Sequence, residues 1–177
     1  LGMAAGLAKN GYKPVVSIYS SFYQRAFDQV IHDICIQNLP VIMCVDRAGI
    51  VGKDGETHQG IFDMAFFSMI PNITIMAPKN FKELEKMLEE ATMLNSPVVI
   101  RYPRGGEGNI KFDKCDNIEV GKAEIIASRG SWDSDPLEAF GDAKIIKWKV
   151  IKDCYRILTA NASLGRIVYF CRQKASG

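Results

Sequence analysis

The strongest fold signal in this 177-residue chain is the segment VIMCVDRAGIVGKDGETHQG, residues 41–60. Its first five residues are apolar and mostly β-branched, a composition typical of a strand buried on both faces. The next fifteen contain four glycines, an arginine, a histidine and several carboxylates. A loop of that length in a compact domain is usually functional or disordered, and its start at the end of a buried strand favours function.

Three further apolar runs have the same character and lie at residues 15–19, 73–76 and 98–102. Helical patterns separate the runs and cover residues 1–10, 22–37, 62–69 and 81–94. We expect capping boxes at two helix starts, one from Ser21 and Gln24 and one from Asn80 and Glu83. The alternation predicts an α/β fold with a mostly parallel sheet flanked by helices and right-handed crossovers.

The composition is that of an ordinary globular protein. The net charge is +2 with dispersed basic residues, so neither nucleic acid nor a membrane surface is an expected partner. No apolar run approaches the roughly 20 residues that span a bilayer. Five cysteines without a CxxC pair are expected to be reduced thiols in the cytoplasm. The chain opens without methionine and within a helical pattern, so we expect a fragment.

Candidate binding residues follow the predicted strands. In parallel sheets, ligands bind beyond the carboxyl ends of the strands. Tyr19, Phe22, Arg47 and Arg104 are expected at that edge, and the long loop adds His58. The edge therefore gathers cationic, aromatic and titratable side chains.

The two arginines allow two interpretations. A pair of guanidinium groups at adjacent strand ends would clamp an anion, because each presents a planar fork to phosphate oxygens. Alternatively, the arginines pair with Asp46, Asp54 or Glu107 as ordinary surface ion pairs.

The aromatic and imidazole side chains are also ambiguous. His58 is placed to move protons near neutral pH, although a loop histidine is more often simply solvated. Phe22 either stacks on a flat heteroaromatic ring or begins the apolar row of its helix. His32 is expected to pair with a carboxylate on the helix surface. Two histidines so far apart, without a third ligand, do not predict a metal site.

Three motifs resemble the 1-deoxy-D-xylulose-5-phosphate synthase family. They are YSSFYQRAFDQVIHD at residues 19–33, DRAGIVGKDGETHQG at 46–60 and RYPRG at 101–105. The resemblance runs over residues 1–126 and implies the pyrimidine-binding domain of this transketolase-like, thiamine-diphosphate-dependent family. Residues 127–177 form a divergent tail that is not recognisable as the family's C-terminal domain.

The resemblance implies an activity and its partners. The family condenses pyruvate with glyceraldehyde 3-phosphate to 1-deoxy-D-xylulose 5-phosphate and releases CO2, a step that supplies isoprenoid, thiamine and pyridoxal synthesis. It uses thiamine diphosphate and Mg2+, and the complete enzyme is expected to be a cytoplasmic homodimer. The activating glutamate and the magnesium motif of the family fall outside this chain. The 177-residue chain alone is therefore expected to be inactive.

The resemblance also assigns roles to individual residues. Phe22 corresponds to the ring that stacks on the aminopyrimidine. Tyr19, Arg47 and Arg104 correspond to the phosphate-binding group, and Asp54 to a contact with a substrate hydroxyl or a closure contact. His58, the candidate catalytic residue, corresponds to the imidazole that stabilises a substrate oxygen or relays protons.

Two other functions remain open from the sequence. One is a different thiamine-diphosphate enzyme, such as transketolase or a 2-oxoacid dehydrogenase β subunit. The other is a non-catalytic module that binds a phosphorylated metabolite or a partner subunit.

Overall fold

A computed structural model describes residues 1–105, 118–121 and 171–172. Its strands are β1 (Val15–Tyr19), β2 (Ile42–Asp46), β3 (Thr74–Met76), β4 (Val98–Arg101) and β5 (Cys171–Arg172). Its α-helices are α1 (Gly2–Lys9), α2 (Ser20–Tyr23), α3 (Asp63–Phe67) and α4 (Phe81–Met93). The predicted tail 127–177 lies outside the described residues except for β5.

The described strands form one sheet in the order β1-β2-β4-β3-β5. The first four strands are parallel, and β5 pairs antiparallel with β3. Residues of β2, β3 and β4 are almost all buried, whereas β1 is a partly exposed edge. Continuous burial is expected for parallel strands covered by helices on both faces. The predicted α/β fold with a parallel sheet is therefore confirmed.

Side chains of β2 alternate between two hydrophobic clusters, one on each face of the sheet. Met43 and Val45 belong to a cluster with α1, α3 and the helical segment after β1. Ile42 and Cys44 belong to a second cluster that includes residues of α4. Helices thus cover both faces and leave the strand ends accessible.

The helical segment after β1 differs in detail from the prediction. It begins as α2, continues through a 3-10 turn at Gln24–Ala26 and contains a π-helix at Gln29–Cys35. The N-cap residue of α2 is Tyr19, whose side chain makes no capping hydrogen bond, and Ser21 lies inside the helix. The capping box predicted from Ser21 and Gln24 was therefore wrong. The π-helix buries Val30 and Ile34 completely, and its wider turn is a feature that helical periodicity alone does not reveal.

Two cysteines in the described core are free thiols, as predicted. Burial raises the pKa of Cys35 to about 12 and also raises that of Cys44. Both thiols therefore stay protonated and unreactive at neutral pH. His32 is confirmed as a surface residue, with Nδ1 at 2.8 Å from an oxygen of Asp28. None of the described helices has the length and apolar character that crossing a membrane requires.

The Asn80 half of the capping box predicted for α4 is present, whereas the Glu83 carboxylate bonds to the residue before the N-cap. The side chain of Asn80 accepts a hydrogen bond of 2.8 Å from the Glu83 N–H, and the Glu83 carboxylate accepts one from the Lys79 N–H. We expect Asn80→Ala to lower the free energy of unfolding by about 1 kcal/mol, because the first helical turn loses its acceptor. Urea denaturation measures this. Asn80→Ser keeps an accepting oxygen and should retain most of the stability; equal losses in the two variants would contradict the prediction.

Candidate functional site

Three neighbouring strands end at the same edge of the sheet. The parallel register aligns Tyr19 of β1 with Asp46 of β2, and Val45 of β2 with Arg101 of β4. Residues just after β2 and β4 are therefore close although they are far apart in sequence. This edge brings together all six predicted site residues.

Arg47 is the centre of the site. Its backbone has a φ of +58°, an uncommon conformation for a residue other than glycine. Its guanidinium donates from Nη2 to the Tyr19 hydroxyl at 2.6 Å and from Nη1 to Asp54 at 2.5 Å. The same group lies 4.2 Å from the centroid of the Tyr19 ring. The guanidinium is thus held by two side chains.

The Tyr19 contact also affects the charge state of Arg47. The hydrogen bond to Tyr19 raises the guanidinium pKa, burial opposes the rise, and the charge of Asp54 adds to it. The Nε atom of Arg47 is buried without a hydrogen bond to any described residue and lies 3.9 Å from Asp46. Arg47 therefore remains a cation, and its Nε–H is a buried donor that no described residue accepts from.

Asp54 joins the two predicted arginines. Its second carboxylate oxygen lies 3.0 Å from Nη1 of Arg104. The side chain of Asp54 is 16% exposed and that of Arg104 is 42% exposed. Of the ion pairs considered from sequence, the one through Asp54 joins both arginines, and Asp46 also pairs with Arg47 at 3.9 Å. The third predicted partner, Glu107, lies outside the described residues.

An aromatic group lies beside the arginines. The rings of Tyr19 and Phe22 stack with centroids 5.1 Å apart, and the His58 ring contacts Phe22 edge-on at 5.4 Å. Nδ1 of His58 lies 2.9 Å from the Thr57 hydroxyl. Phe22 is 48% exposed, so it does not begin a buried apolar row. It presents ring surface next to an imidazole.

The loop that carries His58 is closed by two glycines. Gly49 and Gly60 exchange two backbone hydrogen bonds of 2.7 Å. Inside the loop, the side chain of Gln59 accepts from the Val51 N–H at 2.8 Å and donates to the Gly55 carbonyl at 2.7 Å. Sequence reasoning missed the role of Gln59, because nothing in its spacing indicates a bond back across the loop.

A buried ion pair lies next to the site, between the end of β4 and the start of α3. The guanidinium of Arg101, at the end of β4, donates to both oxygens of Asp63, at the start of α3, at 2.7 and 3.2 Å. Both residues are almost fully buried. Asp63 lies three residues after Gly60, and Arg101 lies three residues before Arg104. The pair therefore connects the end of the His58 loop to the segment that carries Arg104. An arginine within an apolar strand was the only sequence signal for it.

The described residues contain no grouping of three histidine, cysteine, aspartate or glutamate side chains that could hold a metal ion.

Residues 1–106 match the family described as "Transketolase, pyrimidine binding domain". The chain belongs to this family. The match covers the four parallel strands and every site residue described above. The predicted likeness to a transketolase-like pyrimidine-binding domain is thereby confirmed.

Curated relatives of this pyrimidine-binding domain are named 1-deoxy-D-xylulose-5-phosphate synthase. The relative from Clostridium perfringens strain SM101 is 57% identical over 124 residues, which is 70% of this chain and 20% of the relative. The relative from Glaesserella parasuis is 56% identical over 122 residues, with 69% and 20% covered. The predicted resemblance to the synthases is confirmed, and the chain spans about a fifth of their length.

Solved transketolases share the fold of the domain. A split-gene transketolase, described as an inactive beta4 tetramer, has a TM-score of 0.60 and 30% identity over 68% of this chain and 38% of its own. The R356L transketolase of Pichia stipitis in complex with fructose 6-phosphate has a TM-score of 0.55 and 25% identity, covering 60% of this chain and 16% of its own.

Proposed function

We propose that the chain is the pyrimidine-binding part of a thiamine-diphosphate-dependent synthase. The enzyme condenses pyruvate with glyceraldehyde 3-phosphate to 1-deoxy-D-xylulose 5-phosphate and releases CO2, for isoprenoid, thiamine and pyridoxal synthesis. The names of the relatives support this reaction, and 57% identity to synthases against 30% to the split-gene transketolase favours the synthase.

One observation carries the proposal: a continuous set of contacts runs from Arg104 through Asp54, Arg47, Tyr19 and Phe22 to His58. It places a cationic end beside an aromatic end, as a phosphorylated substrate next to a heteroaromatic cofactor requires.

At the cationic end, Tyr19, Arg47 and Arg104 bind the phosphate of glyceraldehyde 3-phosphate. Two guanidinium groups supply several N–H donors, and each charge-assisted bond contributes about 1.5–3 kcal/mol. The Tyr19 hydroxyl and ring orient the Arg47 fork toward the ligand. Asp54 contacts a substrate hydroxyl or takes part in closure of the site.

At the aromatic end, Phe22 stacks on the aminopyrimidine of thiamine diphosphate. The residue fits this role because nearly half of its surface is exposed at the strand ends. When bound, the cofactor supplies the electron sink for decarboxylation. His58, in edge contact with Phe22, stabilises a substrate oxygen or relays a proton.

The complete enzyme needs groups beyond these residues. We propose that residues 1–126 form the pyrimidine-binding unit, that 127–177 form a separate tail, and that the ligands for Mg2+ and the diphosphate lie in other segments of a cytoplasmic homodimer. The 177-residue chain alone is then inactive. The split-gene transketolase described as an inactive beta4 tetramer supports this part of the proposal.

A chimera tests the proposed function. The matched 124 residues of the Clostridium perfringens relative are replaced by the corresponding residues of this chain, and product formation is followed by mass spectrometry. We expect the chimera to form 1-deoxy-D-xylulose 5-phosphate from pyruvate and glyceraldehyde 3-phosphate. Arg47→Met in the chimera should lower kcat/KM for glyceraldehyde 3-phosphate about 100-fold, because two charge-assisted bonds are lost.

The control is Lys82→Met, which removes an exposed cation on α4 and should leave kcat/KM unchanged. A folded chimera without synthase activity would overturn the proposal. Ketol transfer between sugar phosphates in its place would identify the chain as part of a transketolase. A normal KM for glyceraldehyde 3-phosphate in the Arg47 variant would remove that residue from the phosphate site.

A further inference from the structure

The carboxylate of Asp54 occupies the space between the two arginines where an anionic ligand would bind. Oδ2 lies 2.5 Å from Nη1 of Arg47, and Oδ1 lies 3.0 Å from Nη1 of Arg104. A phosphate that bridges the same two Nη1 atoms would occupy the position that the Asp54 carboxylate holds between them. The carboxylate and such a ligand therefore exclude one another.

We infer that Asp54 is an internal anion that a ligand must displace, and that it restricts the site to doubly charged phosphate monoesters. This inference rests on the proposed phosphate site. A singly charged ligand only replaces one negative charge by another and gains little Coulomb energy. A dianion brings two negative charges to the two guanidinium groups and therefore gains Coulomb energy relative to the carboxylate that it replaces. Displacing the Asp54 carboxylate costs the same free energy for either ligand. The monoanion binds the guanidinium groups more weakly and does not recover this cost, so it is excluded.

The backbone around Asp54 allows the carboxylate to leave. Asp54 ends a single 3-10 turn, Gly52–Asp54, and the next residue is Gly55. Gly52 and Gly55 have φ values of +47° and +81°, and a Cβ atom at either position would meet no atom of the described residues within 4 Å. Gly52 and Gly55 give the backbone of this turn the conformational freedom to move as a unit. His58 follows in the next turn, Glu56–His58, so displacement at the phosphate end would also reach the imidazole.

A second carboxylate provides an internal comparison. Asp46 lies 3.9 Å from Nε of Arg47, on the side of the guanidinium that Asp54 does not use. It contributes a negative charge close to Arg47, whereas the bridge between the two arginines is made by Asp54. A general field effect on anion binding would be similar for the two aspartates, but direct competition is specific to Asp54.

Calorimetric titration of the 177-residue chain with methyl phosphate and methyl sulfate tests the inference. The two ligands have the same tetrahedral shape, but at pH 8 methyl phosphate is a dianion, since phosphate monoesters have a second pKa of about 6, and methyl sulfate is a monoanion. We expect the unmodified chain to bind methyl phosphate only. Asp54→Asn should bind methyl phosphate on the order of tenfold more tightly and bring methyl sulfate into the measurable range. Asp46→Asn should change the Kd for methyl phosphate less than about threefold and should leave methyl sulfate binding undetectable.

The outcomes separate this inference from the proposed function. Weaker binding by Asp54→Asn, or an equal gain in Asp46→Asn, would overturn the inference and leave the phosphate site intact. Failure of both the unmodified chain and Asp54→Asn to bind methyl phosphate would overturn the phosphate site as well. NMR of the unmodified chain is a second measurement. Saturating methyl phosphate should shift the amide signals of Gly52–Asp54 and Gly55, and their constancy would show that Asp54 is not displaced.

Discussion

Replacing Asp63 with alanine is expected to lower the free energy of unfolding by about 3–5 kcal/mol. Asp63 and Arg101 are 2% and 5% exposed, and the guanidinium donates two hydrogen bonds to the carboxylate. Removing the carboxylate leaves a buried cation without a counterion at the end of β4. Urea denaturation of the 177-residue chain at pH 7 measures the loss.

Two comparison variants show whether burial is the cause. Asp28→Ala breaks a pair with His32 on the helix surface, where the side chains are 86% and 63% exposed, and should cost less than about 1 kcal/mol. The double variant Asp63→Leu with Arg101→Met removes both charges and should recover most of the stability. If Asp63→Ala cost no more than the surface variant, the buried ion pair would not be what supports the site.

Replacing Gly60 with alanine is expected to abolish methyl phosphate binding and to destabilise the chain by roughly 1–3 kcal/mol. A Cβ atom at Gly60 would lie 2.2 Å from the carbonyl oxygen of Arg47 and 2.8 Å from Cβ of Ser20. The carbonyl belongs to the backbone of the central arginine, so relief of the clash must move Arg47 or separate Gly60 from Gly49. Calorimetry with methyl phosphate and urea denaturation measure the two effects.

Gly6→Ala is the matched control for this variant. Gly6 lies in α1 and is exposed, and a Cβ atom added there would have no other atom of the described residues within 4 Å. Alanine is a better helix former, so we expect a gain of about 0.5–1 kcal/mol and unchanged anion binding. Normal anion binding by Gly60→Ala would show that the close approach of the loop to Arg47 is not needed for the site.

Periodicity was sufficient for the sheet but not for the helix after β1. The apolar runs of β2 and β4 are local signals, because a strand buried on both faces needs apolar residues at every position. The π-helix at Gln29–Cys35 and the absent Ser21 cap depend on how the segment packs against the sheet. Likewise, the exposure of Phe22 follows from its place at the strand ends rather than from its spacing to Ala26.

The sequence by itself determined the α/β class, the family likeness and the set of side chains at one edge of the sheet, because these follow from local composition and from the direction of parallel strands. Only the tertiary structure decided that β4 lies beside β2, that Asp54 bridges Arg47 and Arg104, and that Arg101 pairs with Asp63. Each of these depends on backbone positions set by strand order and loop closure, and charges are paired by distance in space rather than by separation along the chain.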